Sequence, residues 1–143
     1  VLVAVVSCML VLAACGGGAS SGSGGAEPLS KREYIVQADA LKQDAESVFA
    51  SSDGRLPATP AKAAAIIGAL DAMIAGYEAL EPPRDWRDEH EAIVAALGQM
   101  RDAVGIVARA SARNEGAIRF QVARYQQAQA DLADAVRSIN ASR

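Results

Sequence analysis

This chain carries few of the residues on which enzyme chemistry usually rests. Of its 143 residues, two are cysteine, one is histidine and one is tryptophan. Two cysteines cannot build a disulfide-rich scaffold, and one histidine cannot supply a histidine-based metal cluster. Aromatic residues make up only 4%. Basic and acidic side chains nearly balance, 14 against 17, for a net charge of −3, which gives no electrostatic case for nucleic-acid binding. There is no phosphate-binding loop and no His-Glu-x-x-His. We therefore expect no cofactor, no metal and no enzymatic activity. What the chain has instead is apolar residues, 51% of the total. Many are alanine, the strongest helix former.

The first residues read as an address. Residues 1–26 hold no charged side chain, and an apolar run covers Val1 to Ala14, interrupted weakly by Ser7 and Cys8. The run falls short of the roughly 20 residues of a membrane-spanning helix, but it suits the apolar region of an export signal. No Lys or Arg precedes it, so we expect a short basic start upstream of Val1. The run closes on Leu12-Ala13-Ala14-Cys15, followed by Gly16. This resembles the lipobox of bacterial lipoproteins. The resemblance implies cleavage before Cys15 and a diacylglycerol thioether, with acyl chains of the palmitate kind, on its sulfur. A plain export leader, or a cysteine buried in a helix, is the alternative. One acyl chain holds a protein to a membrane only marginally, whereas two or three make a durable anchor. Cys8 would leave with the leader at 1–14, and Cys15 would be the lipid attachment point.

Beyond Cys15, Gly16 to Ala26 is glycine and serine broken only by alanine. Such a composition gives a flexible coil without a core. Residues 15–28 would form a tether whose r.m.s. reach is about 20 Å. Folded structure should occupy residues 29–143. Ser30-Lys31-Arg32-Glu33 is a capping box, with Leu29 and Tyr34 at the staple positions. The stripe Tyr34, Ala38, Leu41, Ala45, Val48 marks a first helix to about Ser51, broken by Ser52-Asp53-Gly54. Thr59-Pro60 opens a second helix, with the stripe Ala63, Ile66, Leu70, Met73, Tyr77, Leu80, closed by Pro82-Pro83. A third starts near Arg84, with the stripe Trp86, His90, Ile93, Leu97, Met100, Val104, Val107, Ser111. Gly98 and Gly105, two turns apart beside that stripe, predict a close helix approach. Asn114-Glu115-Gly116 is the expected third turn, with one long helix bent at Gly116 as the competing arrangement. The fourth stripe is Ile118, Val122, Tyr125, Gln129, Leu132, Val136, Ile139. Four amphipathic helices without strand-like alternation predict an all-α fold, an up-down-up-down four-helix bundle.

That topology gathers the unusual residues. Tyr34, Tyr77, Trp86 and His90 would meet at the tethered end, with Val136 and Ile139 beneath them. They could seal that end as an aromatic plug, or line a pocket in which His90 and the tyrosine hydroxyls orient a small apolar ligand. The acidic run Asp85, Asp88, Glu89, Glu91 suits the start of a helix by its dipole. Gln129 would place a polar group on an apolar seam and fix its register. Charge is uneven: residues 27–100 hold 7 basic and 13 acidic side chains, and residues 101–143 hold 7 and 4. Arg109, Arg113, Arg119 and Arg124 cluster at the third turn, as a solvated rim or a face for an anionic partner such as a wall polymer.

Tyr34-Ile35-Val36-Gln37-Ala38-Asp39-Ala40, following a lipobox and tether, with Leu80-Glu81-Pro82-Pro83 between middle helices, resembles the small helical exported lipoproteins of high-GC actinobacteria. Members of that group often carry a cysteine after the helix-one motif, where this chain has Leu41-Lys42. The resemblance implies location and fold and brings no activity. The expectation is a lipoprotein on the extracytoplasmic face of the cell membrane, its helical body an interaction module for an envelope protein or anionic wall polymer. The alternative is a carrier or sensor of a small apolar ligand at the tether-proximal end.

Overall fold

The computed structural model describes residues 27–50, 59–110 and 115–142. The leader, Cys15, most of the tether, Ser52-Asp53-Gly54, Ser111, Arg113 and Asn114 lie outside the described residues. Those described are mostly helical and contain no strand, so the fold is all-α. The helices are α1 (Lys31–Ala50), α2 (Pro60–Glu78), α3 (Arg87–Arg109) and α4 (Glu115–Ala141). No helix among the described residues is long and apolar enough to cross a membrane.

Local chemistry sets the helix ends. The Ser30 N–H donates to Glu33 Oε2 at 3.0 Å and the Glu33 N–H to Ser30 Oγ at 3.3 Å, a reciprocal capping box that satisfies two donors at the start of α1. Thr59 Oγ1 accepts from Lys62 N at 3.3 Å, with Pro60 at the first helical position of α2. Pro82-Pro83 stands between α2 and a short 3-10 turn, Arg84–Trp86, which leads into α3. At the far end of α3, Ala110 turns to extended angles (φ −69°, ψ 133°), so α3 and α4 are separate helices and the single bent helix is excluded. Gly116 belongs to the first turn of α4 rather than to the connection before it.

Contacts at the ends fix the arrangement. The Leu29 N–H donates to the Glu81 carbonyl at 2.9 Å, bringing the start of α1 to the end of α2. Lys31 pairs with Asp85 at 2.8 Å, and its ammonium also donates to the Ser142 carbonyl at 2.8 Å. The beginnings of α1 and α3 therefore meet the ends of α2 and α4 at one pole. The core runs along the axis from Tyr34, Trp86 and Ile139 through Ile93, Leu97 and Leu70 to Ile66 and Val104.

Two expectations about packing are corrected. The inward face of α4 carries Gln121, Tyr125, Ala128, Ala135 and Ile139, whereas Gln129 is half-buried and Val136 is 40% exposed. The expected and observed stripes share Tyr125, Leu132 and Ile139 but lean to opposite sides of them. Small side chains explain the choice. α4 shares its most extensive interface with α3, and Ala128 and Ala135, buried like Ala96 and Ala103 of α3, let two helices approach closely. Val122, Gln129 and Val136 are turned away from the inward face. The second correction concerns glycine. A β-carbon at Gly98 would meet nothing within 4 Å, and one at Gly105 would meet only the guanidinium of Arg109 in its own helix. The close approach is at Gly76 of α2, where a β-carbon would fall on the isobutyl group of Leu41 from α1.

Candidate functional site

The four residues singled out as a candidate ligand site, Tyr34, Tyr77, Trp86 and His90, do converge. Tyr34 sits one turn into α1 and Tyr77 near the end of α2, while Trp86 closes the 3-10 turn and His90 lies in the first turn of α3. The Tyr34 ring meets Trp86 and His90 edge-on, with centroids 5.8 Å apart in each case, and Tyr77 lies 6.1 Å from His90. Tyr34 and Trp86 are 1% exposed, Tyr77 7% and His90 8%. Burying rings of this size is worth on the order of 3 kcal/mol each. Edge-to-face pairs add about 1 kcal/mol.

Tyr34, His90 and Trp86 find polar partners. Tyr34 Oη and His90 Nδ1 are 2.9 Å apart. Burial pushes the Tyr34 phenol well above its ordinary range, and burial also lowers the His90 imidazole, against the raising influence of Glu91 and Glu81. We therefore assign the hydroxyl as donor and Nδ1 as acceptor, which leaves the imidazole proton on Nε2. Trp86 Nε1–H donates to Ser142 Oγ at 2.8 Å. The Lys31 ammonium sits 4.9 Å over the Trp86 ring, a cation–π contact beside its ion pair with Asp85. Asp85 and Glu89 thus have structural partners, Glu89 accepting from Ser138 Oγ at 2.7 Å.

The open space lies beside the cluster. A hollow of about 190 Å³ touches Tyr34, Ile35, Tyr77, Ile93 and Ile139, smaller than the ~300 Å³ at which drug-sized ligand pockets begin. Outside His90 is a shallow depression of about 540 Å³ rimmed by Glu78, Glu81, Arg87 and Glu91, a charged surface dish. The apolar space is elsewhere. Among the described residues α1 lies chiefly against α2, and its seam with α4 is open. Into that seam runs a trench of about 530 Å³. Its walls are Ala45 and Phe49 of α1 and Gln129, Leu132 and Val136 of α4. Its floor is Met73 and Tyr77 of α2, Leu97 and Met100 of α3, and Tyr125 of α4. Lys42, Tyr77 and Val136 border both the trench and the 190 Å³ hollow, so the two are neighbours along one seam.

Sequence reasoning missed several of these participants. Lys31 and Ser142 stand 111 positions apart, and only folding reveals their bond. The buried glutamine of α4 is Gln121, its Oε1 without a hydrogen-bond partner among the described residues, where a buried polar group was expected at Gln129. The trench floor drew residues already placed on stripes, such as Met73 and Met100, but no periodicity says that the seam between α1 and α4 is open. At the opposite pole, Arg109 and Arg124 border a hollow of about 270 Å³ beside Ile67, and Arg119 pairs with Glu115 at 3.3 Å. Arg101 at that hollow is held by Asp102 and Asp71.

Compared with known protein families, with curated proteins and with solved structures, the chain matches none of them.

Proposed function

We propose that this chain is a lipid-anchored protein of the bacterial envelope, whose helical body is a non-enzymatic binding module held on the extracytoplasmic face of the membrane. One observation carries the location: Leu12-Ala13-Ala14-Cys15-Gly16 closes an uncharged apolar run and opens directly into a glycine-serine spacer. An acyl anchor followed by a coil and then an abrupt capping box is a coherent order of parts. The body is an up-down-up-down four-helix bundle, a reading supported by the pole at which Leu29, Glu81, Lys31, Asp85 and Ser142 meet. The wider likeness to small exported lipoproteins of actinobacteria belongs to the same proposal.

The experiment is fractionation of cells expressing the chain and its Cys15→Ala variant. The parent should sediment with membranes and the variant should be released. Retention of the variant in the membrane fraction, or a mass spectrum showing a bare Cys15, overturns the anchor.

A second reading, carriage or sensing of a small apolar ligand, is favoured by the open α1–α4 seam. The four members of the ring cluster pack against one another, and Tyr77 of that cluster also lines the trench. The trench beside them has the size and lining of a ligand site, mostly apolar with a few polar groups at its edge.

A further inference from the structure

The trench between α1 and α4 has a particular shape. Its walls are neighbouring helices, but its floor belongs to α2 and α3 as well, so it cuts from the surface down to Leu97 and Met100, which are 1% and 5% exposed. Its volume of about 530 Å³ lies in the range of small-molecule sites. The smaller hollow continues it past Lys42 and Val136 to Ile35 and Asn140, at the pole where α1 begins. From Ile35 to Phe49 is about 21 Å of helix, a length that an extended long-chain acyl group fills. Two methionines in the floor, Met73 and Met100, can repack around a flexible chain. Asp39 and Asn140 line the pole end of the smaller hollow, where a polar head would remain in water, and Lys42, Glu46 and Gln129 stand along the rim beyond it.

We propose that this seam binds one unbranched long acyl chain, that of a fatty acid or a lysophospholipid, lying along α1 with its head at the pole where α1 begins. The inference rests on the ligand-carrier reading and names its ligand class. The end of the seam at the pole nearest the tether would face the bilayer from which such a chain comes.

The test uses the full chain carrying Cys15→Ala, so that it holds no acyl group of its own. A fluorescent polyene fatty acid is titrated in, then displaced with palmitate or with a lysophospholipid bearing the same chain. Saturable binding, displaced by either, is expected. Palmitate alone as competitor points to the free acid, and the lysophospholipid alone points to a membrane source; both support the proposal. Ala133→Trp, at the exposed rim, and Ala45→Trp, on the inner wall, should weaken binding at least tenfold. Val36→Trp, on exposed surface outside the trench, should leave it unchanged. Thermal melts show which variants remain folded, and the rim variant serves if the inner one does not. Equal binding by the rim and Val36 variants overturns the proposal. So does binding of a compact aromatic probe such as N-phenylnaphthylamine without any binding of the acyl probe, a result that leaves the carrier reading standing. Loss of both signals removes both. Self-association of the parent that Ala133→Trp abolishes, without acyl binding, assigns the seam to a second copy of the chain and overturns the proposal.

Discussion

At the scale of single residues, the Tyr34–His90 hydrogen bond is the most exacting feature. Both groups are buried, and each depends on the other for its polar atom. Tyr34→Phe leaves the His90 Nδ1 without a partner, and we expect a loss of about 1–3 kcal/mol in urea unfolding. His90 also makes stability depend on pH. Its folded-state imidazole titrates below the ordinary value of 6.5 because burial disfavours the charged ring. Between those two values the unfolded chain binds the proton and the folded one does not, so stability is complete above about pH 6.5 and declines as pH falls. The slope cannot exceed about 1.4 kcal/mol per pH unit for one group. Unfolding midpoints between pH 7.5 and 5.5 should fall accordingly, and His90→Gln should flatten the trend. Glu33 and Asp85, lowered by their bonds to Ser30 and Lys31, add their own losses only at more acidic pH. The residue types at this pole were legible, since Tyr34, Tyr77, Trp86 and His90 stand on successive stripes. Their partners were not, because Ser142 has no pattern that points to Trp86.

At the scale of elements, the helices follow local rules closely and their facing does not. The capping box at Ser30 and Glu33, the Thr59-Pro60 start and the proline stop after α2 act within four residues, so they are visible in the chain. The rotation of α4 is a choice between two stripes that differ by one residue. Burying Ala128 and Ala135 allows a close approach to α3, while burying Val136 and Gln129 would hold the helices apart. Apolar periodicity favours the larger side chains, but packing favours the smaller. The glycines separate the same two effects. Gly98→Ala adds a methyl group into open space and should raise stability by about 1 kcal/mol through helix propensity. Gly76→Ala gains the same propensity but pushes the added carbon onto Leu41, so its melting temperature should rise less or fall. Comparative thermal denaturation of the pair checks this, and equal gains would place the close approach elsewhere.

At the scale of the whole molecule, the open seam makes the assembly uneven. α1 packs mainly on α2, while α3 packs on both α2 and α4. Elements with one supporting neighbour open more readily than those with two. Native-state amide exchange should therefore find α1, from Ile35 to Phe49, less protected than Ile93 to Val104 of α3. Protection of α1 equal to that of α3 would show a seam closed in solution. An acyl chain in the trench should slow exchange in α1 first, because it supplies the missing neighbour. The amino-acid order by itself placed the helices to within a few residues, without strands among the described residues, and set an uncharged apolar run ahead of a glycine-serine stretch, because each depends on neighbours a few positions away. Only the tertiary structure decided which side of α4 faces inward, where two helices come closest and which seam stays open. Those depend on how side-chain volumes from all four helices share one interior, and no single stripe contains that sum.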